Sequence, residues 1–420
     1  MDLALRVGEL LLASGQSTES VSEAMRSLTV AYGLPRTEAQ VTFTGISLSV
    51  QPDDAPPITG ERLIRRRYPD YARLFAVHKL VEEAALGLLE LDEAARRLSA
   101  ITRSRPVYPR WLVRASLGSV ATSASLLVGG GLLVAVAAFV ATILGDMLAN
   151  RLASRGIAEF YQVALAAAVS AAVASLLLVS GANVATAAMV TGGIMTLLPG
   201  RPLVAAIQDG ITTDLVSSAA RLLEVFFNVA AIVAGIGLSV FVSVRLGVPL
   251  DVADLPTIPA SLHPVQLLSA AGIAASFAVS LIAPRSVVGM AAVGGVLIWI
   301  SYVLLTWADV PEIMAAALSA GLIGLLAHGH GRRRMVPALP YIVPAISPLL
   351  PGTPLYRGLL EITQGDLDGG VLSLVQAISI ALALGAGVNL GGELVRAFSR
   401  GGQPGAGPGR RPAARRTRGF

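Results

Sequence analysis

The sequence contains no cysteine and a single lysine, Lys79. The first absence removes disulfides and thiolate metal sites. The second leaves arginine to carry the basic balance, a formal net charge of +5 and a pI of about 9.9. Charge of either sign is scarce. Asp, Glu, Lys and Arg make up 14% of the 420 residues, against about 25% in an average soluble domain. Aromatic residues are only 5%, whereas hydrophobic residues reach 54% and the mean hydropathy is +0.68. An ordinary soluble protein is excluded. The arginines flank apolar segments, where basic residues set topology and need not imply nucleic acid. The opening MDLALRVGELLLASGQ lacks the basic start and unbroken apolar core of a signal peptide.

What is present divides into two regions. Residues 1–110 are charged and predict a soluble, cytoplasmic α+β domain. Helices are expected near 2–14, 17–32, 70–88 and 91–104, the second capped around Ser17 to Ser20 and closed by Gly33 and Pro35. TEAQVTFTGISLSVQ (37–51) predicts two short strands bent at Gly45, and DDAPPITG a loop. From residue 112 the apolar runs lengthen, and a span needs about 20 such residues. Ten candidates follow, near 112–128, 130–149, 158–179, 183–198, 216–243, 264–283, 286–305, 310–328, 335–350 and 371–395. With the N-terminus in the cytosol, arginines fall mainly on cytoplasmic joints, and the outer loop 245–263 carries Asp251 and Asp254. An even count returns the C-terminus to the cytosol. Residues 399–420 read as a disordered, Arg-rich tail.

Two of the runs end alike, in TLLPGRPL (196–203) and PLLPGTPL (348–355). A shift of 152 also places Asp214 on Asp366 and Ala234-Gly235 on Ala386-Gly387. The membrane part therefore predicts two five-span modules, 111–245 and 246–398. Five is odd, so the second module is inverted relative to the first, an architecture of secondary transporters. Pro199, Gly200, Pro351 and Gly352 mark the expected helix breaks or gates. Irregular backbone at membrane depth survives only where it is buried in protein or lines a wet cavity.

LALRVGELLLASGQSTESVSEAMRSLTVAYGL, VTFTGISLSV and LVEEAALGLLELDEAARRLSAI, followed by two modules that each contain LLPG, resemble the bacterial threonine/serine exporter family. The resemblance covers about 1–398. It implies export of threonine and serine driven by the proton motive force, in a multi-pass plasma-membrane protein. A dicarboxylate exporter is the alternative within transport. A membrane-anchored regulatory or hydrolase-like protein with 1–110 as its active part is the alternative outside it. No G-x-S-x-G elbow is present to support a hydrolase.

Ionisable groups inside spans are expensive and default to functional candidates. Arg221, Glu224 and Asn228 share one helical face, and Arg221 is placed to pair with Glu224. Their counterparts in the second module are Ser373, Gln376 and Ile380. Asp209 and Asp214 follow the first LLPG; Glu361, Asp366 and Asp368 follow the second. Asp214 and Asp366, matched by the shift, rank first as carboxylates for a substrate ammonium. Asn389 is an addition of the second module. His328 and His330 lack neighbouring acids, so no metal is expected, nor any cofactor. The partners expected are threonine or serine, protons and lipid, with no nucleic acid and with room for a homo-oligomer.

Overall fold

The computed structural model describes residues 1–34, 36–52, 56–64, 69–180, 186–247 and 259–400. Pro35, the outer-loop acids Asp251 and Asp254, and the tail from 401 lie outside the described residues.

The N-terminal region begins with α1 (Asp2–Ala13) and α2 (Thr18–Ala31). Ser17 caps α2, accepting a hydrogen bond from the Ser20 amide, one of the donors that a helix start leaves unpaired. The chain leaves α2 through Gly33 at φ +77°. A three-stranded antiparallel sheet follows, β1 (Thr37–Val41), β2 (Gly45–Val50) and β3 (Ile58–Leu63), in the order β1-β2-β3. Central β2 turns Ile46 and Leu48 into the core, as a period of two demands. The third strand was not expected. Its sequence, ITGERL, is mostly exposed and carries little apolar alternation. Helices α3 (Tyr71–Ala85) and α4 (Leu91–Arg103) complete the region.

This region does not form the separate soluble domain predicted from composition. It is mainly helical, and its backbone is joined to the apolar helices. The amides of Tyr71 and Ala72 donate to the carbonyls of Leu281 and Ile282 at 3.0 and 2.9 Å. The start of α3 and the end of α11 (Pro264–Ser280) thereby satisfy each other's open backbone groups.

Among the described residues, six of the apolar helices are long and apolar enough to cross a membrane: α6 (Leu132–Ser154), α7 (Glu159–Val179), α10 (Leu215–Arg245), α12 (Arg285–Trp307), α13 (Glu312–Arg334) and α16 (Leu367–Arg400). A seventh arises if α8 (Thr186–Met195) and α9 (Gly200–Ile211), bent by 60° at their junction, count as one. The ten expected spans are thus not confirmed. Helix α5 (Arg110–Leu127) opens with Arg110 and Arg114 and is diluted by Ser116, Ser119 and Ser125. Helix α11 is apolar but only 17 residues long. Helices α8 and α14 (Leu339–Ile346) have 10 and 8 residues. At 1.5 Å per residue they reach about 15 and 12 Å, against a hydrocarbon core of about 30 Å. Exposed side chains such as Leu132, Phe226, Leu238, Val293 and Leu372 give the long helices an apolar exterior that lipid can cover.

Helix α5 packs on α6, α6 on α7 and α7 on α10, with α8 held against α5, α6 and α7. Likewise α11 packs on α12, α12 on α13 and α13 on α16, with α14 held against α11, α12 and α13. The amphipathic helices α9 and α15 (Gly352–Thr363) lie on α10 and α16. Contacts of α5 with α11, and of α9 with α16, join the two sets. Small residues permit the closest crossings. A methyl at Gly235 would strike the backbone carbonyl of Ala164, and one at Gly387 that of Ala317.

These crossings make opposite predictions for one substitution. Gly289 has open space where a Cβ would go. Gly289→Ala should therefore raise stability slightly, because Ala exceeds Gly in helix propensity by about 1 kcal/mol. Gly235→Ala and Gly387→Ala should instead lower it by about 1–3 kcal/mol through overpacking. Thermal unfolding of the purified protein in one detergent measures both.

Candidate functional site

Each LLPG is a helix break. Helix α8 ends at Met195, and α9 begins at Gly200 with Pro199 as its cap. Helix α14 runs into a single 3-10 turn at Ser347–Leu349, and α15 starts at Gly352, just beyond Pro351. Proline supplies no N–H, so Pro202 and Pro354 cost nothing in the first turns of α9 and α15, where the amide would be unpaired.

The two breaks meet. A Cβ at Gly200 would lie 3.0 Å from Leu350 Cδ1, and a Cβ at Gly352 would lie 3.5 Å from Leu198 Cδ1. The second leucine of each motif therefore rests on the glycine of the other. The approach is tight at Gly200 and an ordinary van der Waals contact at Gly352. The contact pairs the same residue types at both places, although the motifs are far apart in sequence.

On the side of α9 and the N-terminal region, the crossing is flanked by a buried ion pair. Arg221 Nε donates to Asp209 Oδ2 at 2.7 Å, with side-chain exposures of 3% and 0%. The second oxygen, Oδ1, accepts from the Thr18 amide and hydroxyl at 3.0 and 3.2 Å. The Arg221 guanidinium also donates through Nη2 to the Gln16 carbonyl at 3.1 Å and stacks over the Phe43 ring at 5.5 Å from its centroid. An uncompensated charge at such depth would be prohibitive, and these contacts compensate both. The turn between α1 and α2 closes this side as a plug: Gly15, at φ +92°, packs on the stem of Arg201. Burial raises the Tyr71 phenol above its ordinary value, an effect opposed by the nearby Arg201. Burial likewise raises the Glu19 carboxyl, and Arg396 opposes that shift.

The expected Arg221–Glu224 pair is corrected by this arrangement, since the guanidinium turns to Asp209 on the neighbouring helix. Glu224 and Asn228 follow along α10, both half-buried. Asp214 and Asp366, the matched carboxylates, start helices. Asp214 Oδ1 accepts from the Ser217 amide at 3.1 Å, and Asp366 Oδ1 from the Gly369 amide at 3.0 Å. Asn389 donates to the Gly385 carbonyl of its own helix at 2.8 Å. His328 contacts the Gly324 carbonyl and His330 the Tyr341 ring.

The sequence ranking did not include a second set of matched residues. The shift that relates Asp214 to Asp366 also relates Asp209 to Glu361 and Arg221 to Ser373. In the fold, Ser373 Oγ donates to Glu361 Oε2 at 2.7 Å, as Arg221 donates to Asp209. The turn closures agree as well: the Asp214 amide donates to the Asp209 carbonyl at 2.9 Å, and the Asp366 amide to the Glu361 carbonyl at 3.0 Å. The signal was present in the sequence, but only packing shows which residue each acid reaches.

Next to the second break lies a cavity of about 630 Å³. Residues 348–354 form part of its wall, with Thr191 and Met195 from α8 and Trp299 and Tyr302 from α12. Glu312 and Arg357 are its charged lining residues.

Span-length apolar helices, with two broken helices crossing between them and charge held at the crossing, define a polytopic membrane protein of the transporter class. Family models described as threonine/serine exporters match residues 2–242 and 266–392, and the chain belongs to the threonine/serine exporter family. It is 32% identical to a "Probable threonine/serine exporter" of Mycobacterium tuberculosis, over 93% of this chain and 75% of the relative. It is 28% identical to a "Threonine/serine exporter" of Corynebacterium glutamicum, over 95% of this chain and 83% of the relative. These relatives are named as exporters, not as enzymes. No solved structure gives a significant match.

Removing either member of the buried ion pair strands the other. Asp209→Asn and Arg221→Gln should each destabilise by about 3–5 kcal/mol. The double variant should cost less than the sum, because neither partner is then left charged and alone. Chemical denaturation of the four proteins in micelles gives the coupling energy; additive costs would remove the pair from this role.

Proposed function

We propose that this protein exports small hydroxy amino acids, threonine and serine, across the bacterial plasma membrane, driven by the proton motive force. The reciprocal crossing of the two LLPG breaks carries this reading. Its two sides are related by the same shift of 152 positions, and broken helices at matched places in two halves are a marker of transporter sites. The two sets of packed helices then act as inverted halves that rock about the crossing, exposing it to one side at a time. The four residues Pro199, Gly200, Pro351 and Gly352 are the hinge.

Topology follows from charge. Arg201 lies against Gly15 and Arg285 near Tyr108 of the N-terminal region, and this reading puts Arg114, Arg155 and Arg332 to Arg334 on the same side. The positive-inside rule puts that side in the cytosol, together with both termini. Residues 1–110 are then a cytoplasmic domain that seals the inner face through Gln16 and Thr18. Residues 111–245 and 246–398 are the two modules. Protons couple at carboxylates beside the crossing, Asp209 foremost. A dicarboxylate substrate fits less well, because the guanidinium inside the first module, Arg221, is already engaged by Asp209 and the Gln16 carbonyl.

Cells overproducing the protein and loaded with labelled threonine should lose the label faster than control cells, and a protonophore should abolish the difference. Unchanged efflux would sink the substrate assignment, and insensitivity to the protonophore the coupling. Succinate added on the loaded side should leave threonine efflux intact. A second comparison separates charge from capping at Asp214 and Asp366. Asn caps helices about as well as Asp, so Asp214→Asn and Asp366→Asn preserve the fold. Lost efflux at normal membrane levels assigns these carboxylates to transport, and normal efflux confines them to capping.

A further inference from the structure

We infer that the cavity beside the second break is a binding site for an α-amino-acid zwitterion, with Glu312 receiving the ammonium and Arg357 the carboxylate. The inference rests on the exporter reading and adds to it the place and the groups of recognition. Among the residues that line the cavity, Glu312 is the carboxylate and Arg357 the guanidinium. The remaining wall is mostly apolar, with Tyr302, Thr191, Thr353 and Gln376 as neutral polar groups. One charge of each sign in a largely apolar chamber suits a ligand that carries one of each. It does not suit a dianion, which would meet Glu312.

Glu312 is exposed at the cavity and makes one side-chain hydrogen bond. Gln376 Nε2 donates to its Oε2 at 3.1 Å, joining the first turn of α13 to α16. The other oxygen can accept from an ammonium. An arginine presents parallel N–H donors to a carboxylate. The hydroxyls of Thr191 and Tyr302 can serve a substrate hydroxyl either way, as donor or acceptor. At about 630 Å³ the chamber falls within the range of small-molecule pockets, roughly 300–1,000 Å³.

Its position ties binding to motion. Leu349 to Pro354 belong to the cavity wall, and Leu350 in the same segment packs on Gly200 of the other break. A ligand resting on this wall touches the element that must move. Gln16, Thr18, Asp209 and Arg221 are not among the residues that line the cavity.

The absence of cysteine makes the test direct. A Thr353→Cys variant has one thiol, inside the cavity, and is studied as full-length protein in lipid nanodiscs, where both faces meet the reagent. L-Threonine and L-serine should slow maleimide labelling of this thiol. Threoninol, which lacks the carboxylate, and N-acetylthreonine, which lacks the ammonium, should not. Adding Glu312→Gln or Arg357→Gln should weaken protection by threonine at least about tenfold, the loss of one charge-assisted hydrogen bond. A thiol that resists labelling, one that no amino acid protects, or equal protection by threoninol would overturn the assignment. Efflux of labelled threonine by the unmodified chain is measured in parallel. Efflux without protection disproves this site and leaves the exporter reading standing. Zwitterion-specific protection without efflux supports the site and removes the exporter reading.

Discussion

A helix that stops halfway across a bilayer leaves backbone groups at a depth where water cannot reach them. This protein has two short apolar helices, α8 and α14, and the breaks that end them touch each other. Leu198 covers Gly352 and Leu350 covers Gly200. Much of the fold follows from that contact. Helices α5, α6 and α7 enclose one broken helix and α11, α12 and α13 the other. The amphipathic helices α9 and α15 leave the crossing sideways and bring their carboxylates to the next long helix. Asp209 and Glu361 are thus delivered to corresponding places by corresponding chain paths.

The two places are then completed differently. Asp209 meets arginine, and the first helices of the chain add an amide, a hydroxyl and a carbonyl. Glu361 meets a serine. A fully buried ion pair is costly to desolvate and gives little net stability compared with apolar packing. Its value is geometric, because charges so deep tolerate few arrangements. The N-terminal region is therefore packed against the apolar helices rather than standing apart from them. Its hydrogen bonds from Tyr71 and Ala72 to the end of α11 reach the second half while Thr18 reaches the first.

Much of the fold was legible in the sequence. The helices of the N-terminal region were readable from caps and periodicity, as Ser17 and Gly33 illustrate. The long apolar helices were readable from composition. The third strand was not, because ITGERL lies exposed and has little apolar pattern to betray it. The ten expected spans are not confirmed, because an apolar run of 16 residues does not reveal whether it crosses or turns. For the candidate site, Asp209, Arg221 and the LLPG breaks were visible as residues, while the partners of the two charges were not. Glu224 lies one turn away on the same helix and looked like the natural mate of Arg221. Asp209 is 12 positions away in sequence, and only the sharp turn at Thr213, with φ +69°, folds its helix back within reach.

The sequence by itself determined that the protein lives among lipids and that LLPG, with its proline and glycine, recurs after 152 residues. These are properties of composition and order, which any window along the chain exposes. The tertiary structure alone decided that the interruptions touch, that Thr18 and Gln16 close over Asp209 and Arg221, and that Glu312 and Arg357 share one chamber. Those facts depend on contacts between residues as many as 205 positions apart. Packing fixes such contacts, and local pattern carries no record of them.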